Sequence, residues 1–230
     1  MNKQTNEYYQ TTEHIPFTEK LSVNARKKMY ALFMNIMEPS KTSSILDVGV
    51  TCDKQHPASN MLEYCYPHKK QITCAGVENA YHLEKIYLGV KFHQISPHKP
   101  LPFEDKQFDI AYSNAVLEHV GTRAQQTAFI HELCRVGKEI FITVPNRLFP
   151  VEHHTALPLV HYLPNSCFRV IAKLLGITHW SKKENLNLFY PWKIGGFFPK
   201  EMKPSLAFTG VGIAVFKSNI CVYSKGSRVK

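Results

Sequence analysis

Two acidic residues lie in or directly after apolar stretches of the kind that form buried strands. Asp47 interrupts the run SSILDVGV at 43–50, and Glu78 follows the run ITCAGV. Gly49 comes where the first run must turn, and a glycine there lets a ligand approach the backbone closely. An acid at the tip of the second run can accept hydrogen bonds from both hydroxyls of a ribose. The pattern indicates a nucleotide-binding βα unit, although Glu78 is equally well explained as a solvated acid at a strand end.

The order of strand-like and helical patterns predicts the frame that would hold these residues. Strands alternate with helices along the first two thirds of the chain, which favours a parallel sheet. The predicted strands are 43–50, 72–79, 91–95, 108–115 and 139–144. The predicted helices are one from Ser22 or Asn24 to about Met37, followed by 59–66, 80–87 and about 122–136. In such a sheet the ligand lies beyond the carboxyl ends of the strands.

The last third of the chain breaks this alternation. Residues from about 146 to 205 are rich in proline, histidine and aromatic side chains, with one helix predicted at 165–175. The apolar runs 211–218 and 219–225 follow one another with a short polar turn between them, which predicts an antiparallel hairpin. The predicted fold class is therefore α/β, a doubly wound and mostly parallel sheet with an antiparallel C-terminal hairpin.

Length, charge and cysteine content narrow the possible partners. The chain has 230 residues, enough for one domain with a full core, and a formal net charge of +10. Its basic residues are dispersed and not interleaved with aromatic side chains, so a nucleic-acid groove is not indicated, whereas peripheral contact with a membrane stays open. None of the six cysteines forms a CxxC pair, and we predict no metal site.

The sequence also bears on the compartment. The N-terminal stretch is polar and lacks the apolar core of a secretory signal. No apolar run approaches the length needed to cross a bilayer. We therefore expect a cytoplasmic protein without a transmembrane segment, and nothing in the sequence indicates an oligomeric state.

Four segments between residues 43 and 146 follow one another in a recognisable order and spacing. They are ILDVGVT, ITCAGVEN, LPFEDKQFDIAYSNAVLEHV and ELCRVGKEIFITVPNR. As a set they resemble the class I S-adenosylmethionine (SAM)-dependent methyltransferases of the type 11 group. The resemblance implies a Rossmann-like fold, an enzyme that transfers a methyl group, and SAM as cofactor. It divides the chain into an N-terminal arm and helix at 1–40 and a methyltransferase domain at 41–230, with an irregular substrate-side insertion at about 146–205.

The same resemblance implies which residues hold the cofactor. Asp47 and Gly49 would lie beside the methionine part of SAM, and Glu78 would hold the ribose hydroxyls. The other implied contacts are Val50 and Thr51 in the turn over the methionine part, Asn79 near the adenine, Leu101, Pro102 and Phe103 along the adenine wall, and Asn114, Ala115 and Glu118 bordering the methyl donor. Two features depart from the group: its turn usually has two or three glycines, and residues 96–98, Ser-Pro-His, replace a common acid.

Methyl transfer from a sulfonium is an in-line displacement, in which the protein contributes chiefly by aligning acceptor and methyl group. A hydroxyl acceptor would also need a base, and histidine is suited to that at neutral pH. The candidates are His119, just after the fourth strand, and His153 and His154, after the fifth. Each also has a structural explanation. His119 could cap a helix or contact the SAM carboxylate, and of the other two, one could pack internally and one could be solvated.

Three classes of acceptor are compatible with the sequence: a small molecule, a sugar or a lipid-linked intermediate. Two further hypotheses stay open at this point. A non-catalytic module that kept the fold but lost the cofactor would explain the missing glycines. A methyltransferase that modifies nucleic acid would explain the basic charge.

Overall fold

A seven-stranded sheet forms the centre of the computed structural model, which describes residues 16–54, 58–152, 154–182 and 185–226. The strands are β1 Ile45–Val48, β2 Ile72–Gly76, β3 Lys91–Gln94, β4 Phe108–Asn114, β5 Gly137–Pro145, β6 Ser205–Thr209 and β7 Asn219–Ser224. They lie in the order β3-β2-β1-β4-β5-β7-β6. The first five strands pair in parallel, whereas β7 is antiparallel to both β5 and β6. The predicted fold class, mostly parallel with an antiparallel C-terminal hairpin, is confirmed.

Largely apolar runs form the central strands because helices cover both faces of the sheet. In β1, Ile45, Leu46 and Val48 are fully buried. Alternate residues of the strand face opposite sides, so Leu46 and Val48 join one hydrophobic cluster and Ile45 joins the other. Asp47 therefore points to the same side as Ile45, where it is also buried.

The helices are α1 Pro16–Met37, α2 Met61–Cys65, α3 His82–Ile86, α4 Arg123–Val136, α5 Asn165–Leu174 and α6 Pro191–Ile194. α4 covers one face of the sheet and begins at a capping box, in which Thr122 and Gln125 each bond the other's backbone. α1 covers the other face, where the Phe33 ring meets the rings of Tyr112 and Phe141 edge-on at 5.1 and 5.2 Å. The C-terminal half of α1 is thus part of the core.

Several predicted boundaries need correction. α1 begins at Pro16 rather than at Ser22 or Asn24, since no helix breaker stands between Pro16 and Ser22. β1 and β2 are shorter than predicted, because the chain leaves the sheet at Gly49 and directly after Gly76. Among the other helices and strands predicted up to residue 175, the ends differ by no more than two residues.

The predicted first strand of the C-terminal hairpin, 211–218, is wrong. The strand that pairs with β7 is β6, and residues 210–218 form the connection between them, with a short turn at Ala214–Phe216. Gly210 and Gly212 have φ values of +90° and +99°, which interrupt an extended chain. Ile213 is 77% exposed, so the apolar run has no sheet face to cover.

Residues 146–205, which we call the insertion, contain short helical turns together with α5 and α6. A small hydrophobic cluster of Phe168, Trp180 and Leu186 lies inside the insertion. Arg147 ties the insertion together: its guanidinium donates to the carbonyls of His161 and Leu163 at 3.0 and 2.9 Å. Among the described residues, no helix combines the length and the apolar character that a membrane crossing requires.

Candidate active site

A cavity of about 1570 Å³ lies at the carboxyl ends of β1, β2 and β4. Its floor is the turn after β1, Gly49 to Thr51, and its sides include Glu78 after β2 and Ala115 after β4. The N-terminal half of α1 closes one side with Ala25 and other residues, and the insertion contributes a further wall. This is the position at which doubly wound sheets bind ligands.

The floor of the cavity is made by close backbone packing that only glycine permits. Gly49 has a φ of +106°, and a Cβ atom there would lie 2.1 Å from Cγ2 of Val116. A Cβ atom on Gly76 would lie 2.8 Å from the carbonyl oxygen of Val50. The turn after β1 is therefore pressed against the segments that follow β2 and β4, and its open side faces the cavity.

The turn after β1 has a single glycine, and the side chain of Asn60 holds it through two hydrogen bonds. The backbone N–H of Thr51 donates to Oδ1 of Asn60 at 3.0 Å, and Nδ2 of Asn60 donates to the carbonyl of Thr51 at 3.0 Å. Asn60 itself has a left-handed backbone, with φ 50°. One asparagine thus fixes the turn from outside, and sequence reasoning missed it because its partner is nine residues away.

Glu78 and Asp47 both line the cavity, as the sequence predicts, but in different states. Oε2 of Glu78 accepts a hydrogen bond from the Cys52 thiol at 3.1 Å, which fixes the carboxylate at the cavity wall. Burial and the neighbouring Glu63 raise the pKa of Asp47 well above its usual value. Burial also raises the pKa of Glu63, whose Oε1 accepts from the Cys74 thiol at 3.1 Å. The raised pKa favours the protonated form of the Asp47 carboxyl group at the cavity wall.

The structure brings most of the other predicted cofactor residues to the cavity. Those that line it are Val50, Thr51, Leu101, Asn114, Ala115 and Glu118. Asn79, Pro102 and Phe103 are not part of the lining. Oδ1 of Asn79 instead accepts from the N–H of Tyr81 at 3.3 Å, and the Phe103 ring packs edge-on against Phe108. Residues 96–100, where the common acid is missing, do line the cavity.

Glu118 is a buried residue of the cavity lining, and its two carboxyl oxygens have almost no exposed surface. Within the described parts of the chain, neither of its oxygens has a hydrogen-bond partner on another residue. Oε1 lies 3.9 Å from Nε2 of His119, which is beyond hydrogen-bond distance. Burial raises the pKa of Glu118 to about 7, although the charge of His154 opposes the shift. Glu118 can therefore exchange a proton close to neutral pH.

The two candidate histidines that the structure describes, His119 and His154, lie beside Glu118, and their pKa values are shifted in opposite directions. Nδ1 of His119 donates to the carbonyl of Asn185 at 2.8 Å, and burial together with the charge of His154 lowers the pKa of His119 to about 3. Burial alone would lower the pKa of His154, but the charge of Glu152 and a 2.8 Å hydrogen bond to its Oε1 outweigh burial and raise it. His119 is therefore neutral near pH 7, whereas pairing with Glu152 favours the cationic form of His154.

Glu152 completes this arrangement as the counter-ion of His154. Burial would raise the pKa of Glu152, but His154 and hydrogen bonds from Thr155 lower it to about 2. The Trp180 ring packs against both His119 and His154, at centroid distances of 5.5 and 4.8 Å. His153, the third candidate base, lies outside the described residues.

Comparison with known proteins agrees with this geometry. The family described as a methyltransferase domain, type 11, matches residues 56–140. No curated protein matches the chain. A solved SAM-dependent methyltransferase from Aquifex aeolicus is similar over 92% of this chain and 98% of its own, with 13% identity and a TM-score of 0.57.

Two further solved structures have the same fold. A possible histamine N-methyltransferase from Thermotoga maritima is similar over 90% of this chain and 92% of its own, with 11% identity and a TM-score of 0.55. Magnesium protoporphyrin IX methyltransferase from Synechocystis, solved with bound SAH, is similar over 97% of this chain and 89% of its own, with 13% identity and a TM-score of 0.52. At these identities the likeness concerns the fold.

The matched domain and the fold together define the class: residues 56–140 match a methyltransferase domain, and the fold is that of the SAM-dependent methyltransferases. Residues 56–140 belong to the type 11 methyltransferase domain, which confirms the resemblance in the sequence. SAM is the cofactor of this class. The cavity fits such a group, because a close-packed glycine floor lies beside the fixed carboxylate of Glu78.

Proposed function

We propose that this chain works in the cytoplasm and methylates a hydroxyl group of a small or lipid-linked acceptor, with Glu118 as the proton acceptor. The observation that carries the proposal is the carboxyl group of Glu118, which is buried in the wall of the cavity and has no partner on another described residue. A base is most effective when its pKa lies near the working pH, and that of Glu118 is about 7.

The cofactor would occupy the side of the cavity next to β1 and β2. Glu78 would accept hydrogen bonds from the ribose hydroxyls, and the turn from Gly49 to Thr51 would hold the methionine part. The raised pKa of Asp47 favours its protonated form, which can donate a hydrogen bond to the methionine part. Leu101 offers an apolar wall to the adenine. When bound, SAM supplies an electrophilic methyl group.

The acceptor would occupy the side next to Glu118 and the insertion. Its hydroxyl would donate a hydrogen bond to the Glu118 carboxylate, which would take the proton as the oxygen becomes nucleophilic. The cationic form of His154, which Glu152 favours, lowers the pKa of Glu118, and the hydrogen bond to Glu152 keeps His154 from acting as the base. His119 is a weak base because its pKa is about 3, and its fixed ring would instead help to shape the acceptor site.

The roles of Glu118 and Glu78 can be separated in one experiment. Radiolabelled SAM is incubated with a lysate fractionated into lipid, small-molecule, protein and nucleic-acid pools, and SAM affinity is measured in parallel by calorimetry. Glu118→Gln should slow labelling by about 100- to 1000-fold while SAM affinity changes by less than about threefold. Glu78→Gln should weaken SAM binding by about tenfold or more, because a charged hydrogen-bond acceptor is lost. Glu104→Gln, an exposed change outside the cavity, is the matched control.

The pH dependence gives a second readout of the same proposal. Only the ionised form of Glu118 accepts a proton, so labelling by the wild type should rise as the pH increases through about 7. An unchanged rate in Glu118→Gln, or label found in the nucleic-acid pool, would contradict the proposal. Labelling that is lost with a chelator and restored by a divalent cation would also contradict it, by replacing the carboxylate base with metal-assisted chemistry.

A further inference from the structure

α5 carries apolar side chains on two opposite faces. On the inner face, Phe168 packs with Trp180 and Leu186. On the outer face, Val170 and Leu174 are 58% and 81% exposed. These two residues are four apart, so they form one stripe along the helix. Polar residues of α5, among them Ser166 and Lys173, share its exposed surface with these two apolar side chains.

Other exposed apolar residues continue this outer face. The turn Val160–Tyr162 packs against α5, and Leu159, Leu163 and Leu175 beside these two elements are all exposed. We call this set the outer patch; its members are Leu159, Tyr162, Leu163, Val170, Leu174 and Leu175. Six exposed apolar residues in one short segment form a grouping that marks contact with a partner rather than with water.

The outer patch is joined directly to the cavity. The backbone N–H of Leu159 donates to the carbonyl of Pro150 at 2.7 Å, and Val151 pairs with Pro158 in a β-bridge. Val151 and Ala156, in the same loop, line the cavity. A partner seated on the outer patch would therefore lie next to the acceptor side of the site.

A second exposed apolar group lies at the same end of the sheet. Ile213, Val215 and Phe216 are exposed in the connection between β6 and β7. Asn146, where the insertion begins, fixes this connection by donating to the carbonyls of Val215 and Lys217 at 2.8 and 2.7 Å. The two apolar groups thus flank the segment at which the insertion leaves β5.

The charge around both groups has one sign. Residues 155–182 contain Arg169, Lys173 and Lys182 and no acid. The connection between β6 and β7, residues 210–218, contains Lys217 and again no acid. Apolar side chains surrounded by cations match the surface of an anionic bilayer, where the apolar groups enter the acyl boundary and the cations meet the headgroups.

We infer that the outer patch docks on an anionic lipid bilayer and so brings the cavity to an acceptor that is itself anchored in lipid. The inference rests on the proposed function for the nature of the acceptor, whereas docking itself requires neither SAM nor turnover. The alternative occupants of the patch are a second copy of this chain and another protein, and the experiment below separates them.

The test is flotation of the full chain with vesicles, without SAM. Vesicles of phosphatidylcholine mixed with phosphatidylglycerol should bind the wild type, and binding should weaken as salt is added. Vesicles of phosphatidylcholine alone should bind it at least about tenfold less, because the cations contribute nothing there. The double variant V170E/L174E should bind the mixed vesicles at least about tenfold less than the wild type.

Leu88→Glu is the matched control for this test. Leu88 is 80% exposed, close to the 81% of Leu174, but it precedes β3 at the opposite end of the sheet from the cavity. Leu88→Glu should bind vesicles like the wild type, and circular dichroism should show that all variants are folded. Wild-type chain that does not float with mixed vesicles at low salt would overturn the inference, as would equal losses in Leu88→Glu and V170E/L174E.

Light scattering after gel filtration measures the oligomeric state and so tests whether a second copy of the chain occupies the outer patch. A dimer of the wild type that V170E/L174E abolishes, without any binding to vesicles, would assign the patch to self-association and overturn the membrane inference. Failure of the membrane inference can be told apart from failure of the proposed function. If Glu118→Gln labels as fast as the wild type while vesicle binding behaves as expected, the base is wrong and the docking surface stands.

Discussion

The two sides of the cavity are built in different ways. The cofactor side belongs to the regular sheet, where parallel strands pair backbone with backbone and close-packed glycines form the floor. The side proposed for the acceptor includes the insertion. There the side chains of Arg147 and Asn146, rather than neighbouring strands, donate hydrogen bonds to backbone carbonyls. The comparison teaches that a repeated pattern builds the side proposed for the common cofactor, whereas a few individual side chains build the side proposed for the particular acceptor.

Arg147 offers the strongest test of this contrast. Its side chain is buried and donates to two carbonyls of the insertion and to Oδ1 of Asn165 at 2.7 Å. Arg147→Ala should destabilise the insertion by about 4 kcal/mol, because the acceptors it leaves are buried without partners. Hydrogen exchange should rise across the insertion, and SAM affinity should change by less than about threefold if the sheet side is independent.

Arg135 is the matched control on the sheet side. It also donates to two carbonyls, those of Leu101 and Phe103, but its side chain is 29% exposed and water can replace it. Arg135→Ala should therefore cost only about 1 kcal/mol. A loss of SAM affinity in Arg147→Ala as large as its loss of stability would show that the two sides do not act separately.

Gly49 on the sheet side and Gly176 in the insertion allow a second comparison of the two regions. Gly49 and Gly176 both have positive φ values, +106° and +80°, so alanine is strained at either position. At Gly176 nothing lies within 4 Å of the new Cβ atom, whereas at Gly49 it would meet Val116. Gly176→Ala should cost about 1 kcal/mol and leave SAM affinity unchanged.

Gly49→Ala should cost about 2 kcal/mol or more, since the contact with Val116 adds to the same backbone strain. It should also weaken SAM binding by calorimetry, because the floor of the cavity must shift. Equal effects of the two substitutions on stability and on affinity would mean that close packing at Gly49 does not shape the site.

The sequence predicted the sheet side well because its signals are local. Apolar runs, single glycines and a capping residue determine β1 to β5 and α4 within a few neighbouring positions. The error in the C-terminal hairpin has the same origin: residues 211–218 have an apolar composition, but Gly210 and Gly212 are left-handed and β7 pairs instead with residues before them. Two glycines in one apolar run were the available signal.

The chemistry of the acceptor side could not be predicted in the same way. The sequence indicated histidines as bases because their usual pKa lies near neutral pH. In the structure, burial lowers the pKa of His119, and His154 is paired with Glu152. Burial also raises the pKa of Glu118 to about 7, where a base is effective near neutral pH. Burial and pairing depend on residues far apart in the chain, such as Asn185 beside His119.

The central claim is that the buried carboxyl group of Glu118 titrates near neutral pH. The most direct measurement is a pH titration of the chain with carbon-13 in its glutamate carboxyl groups, followed by NMR in the wild type and in Glu118→Gln. The signal that disappears in Glu118→Gln should titrate at about 7 in the wild type. If that signal titrates at about 4.3, the ordinary value for glutamate, Glu118 is not the poised base and the account of the acceptor side is wrong.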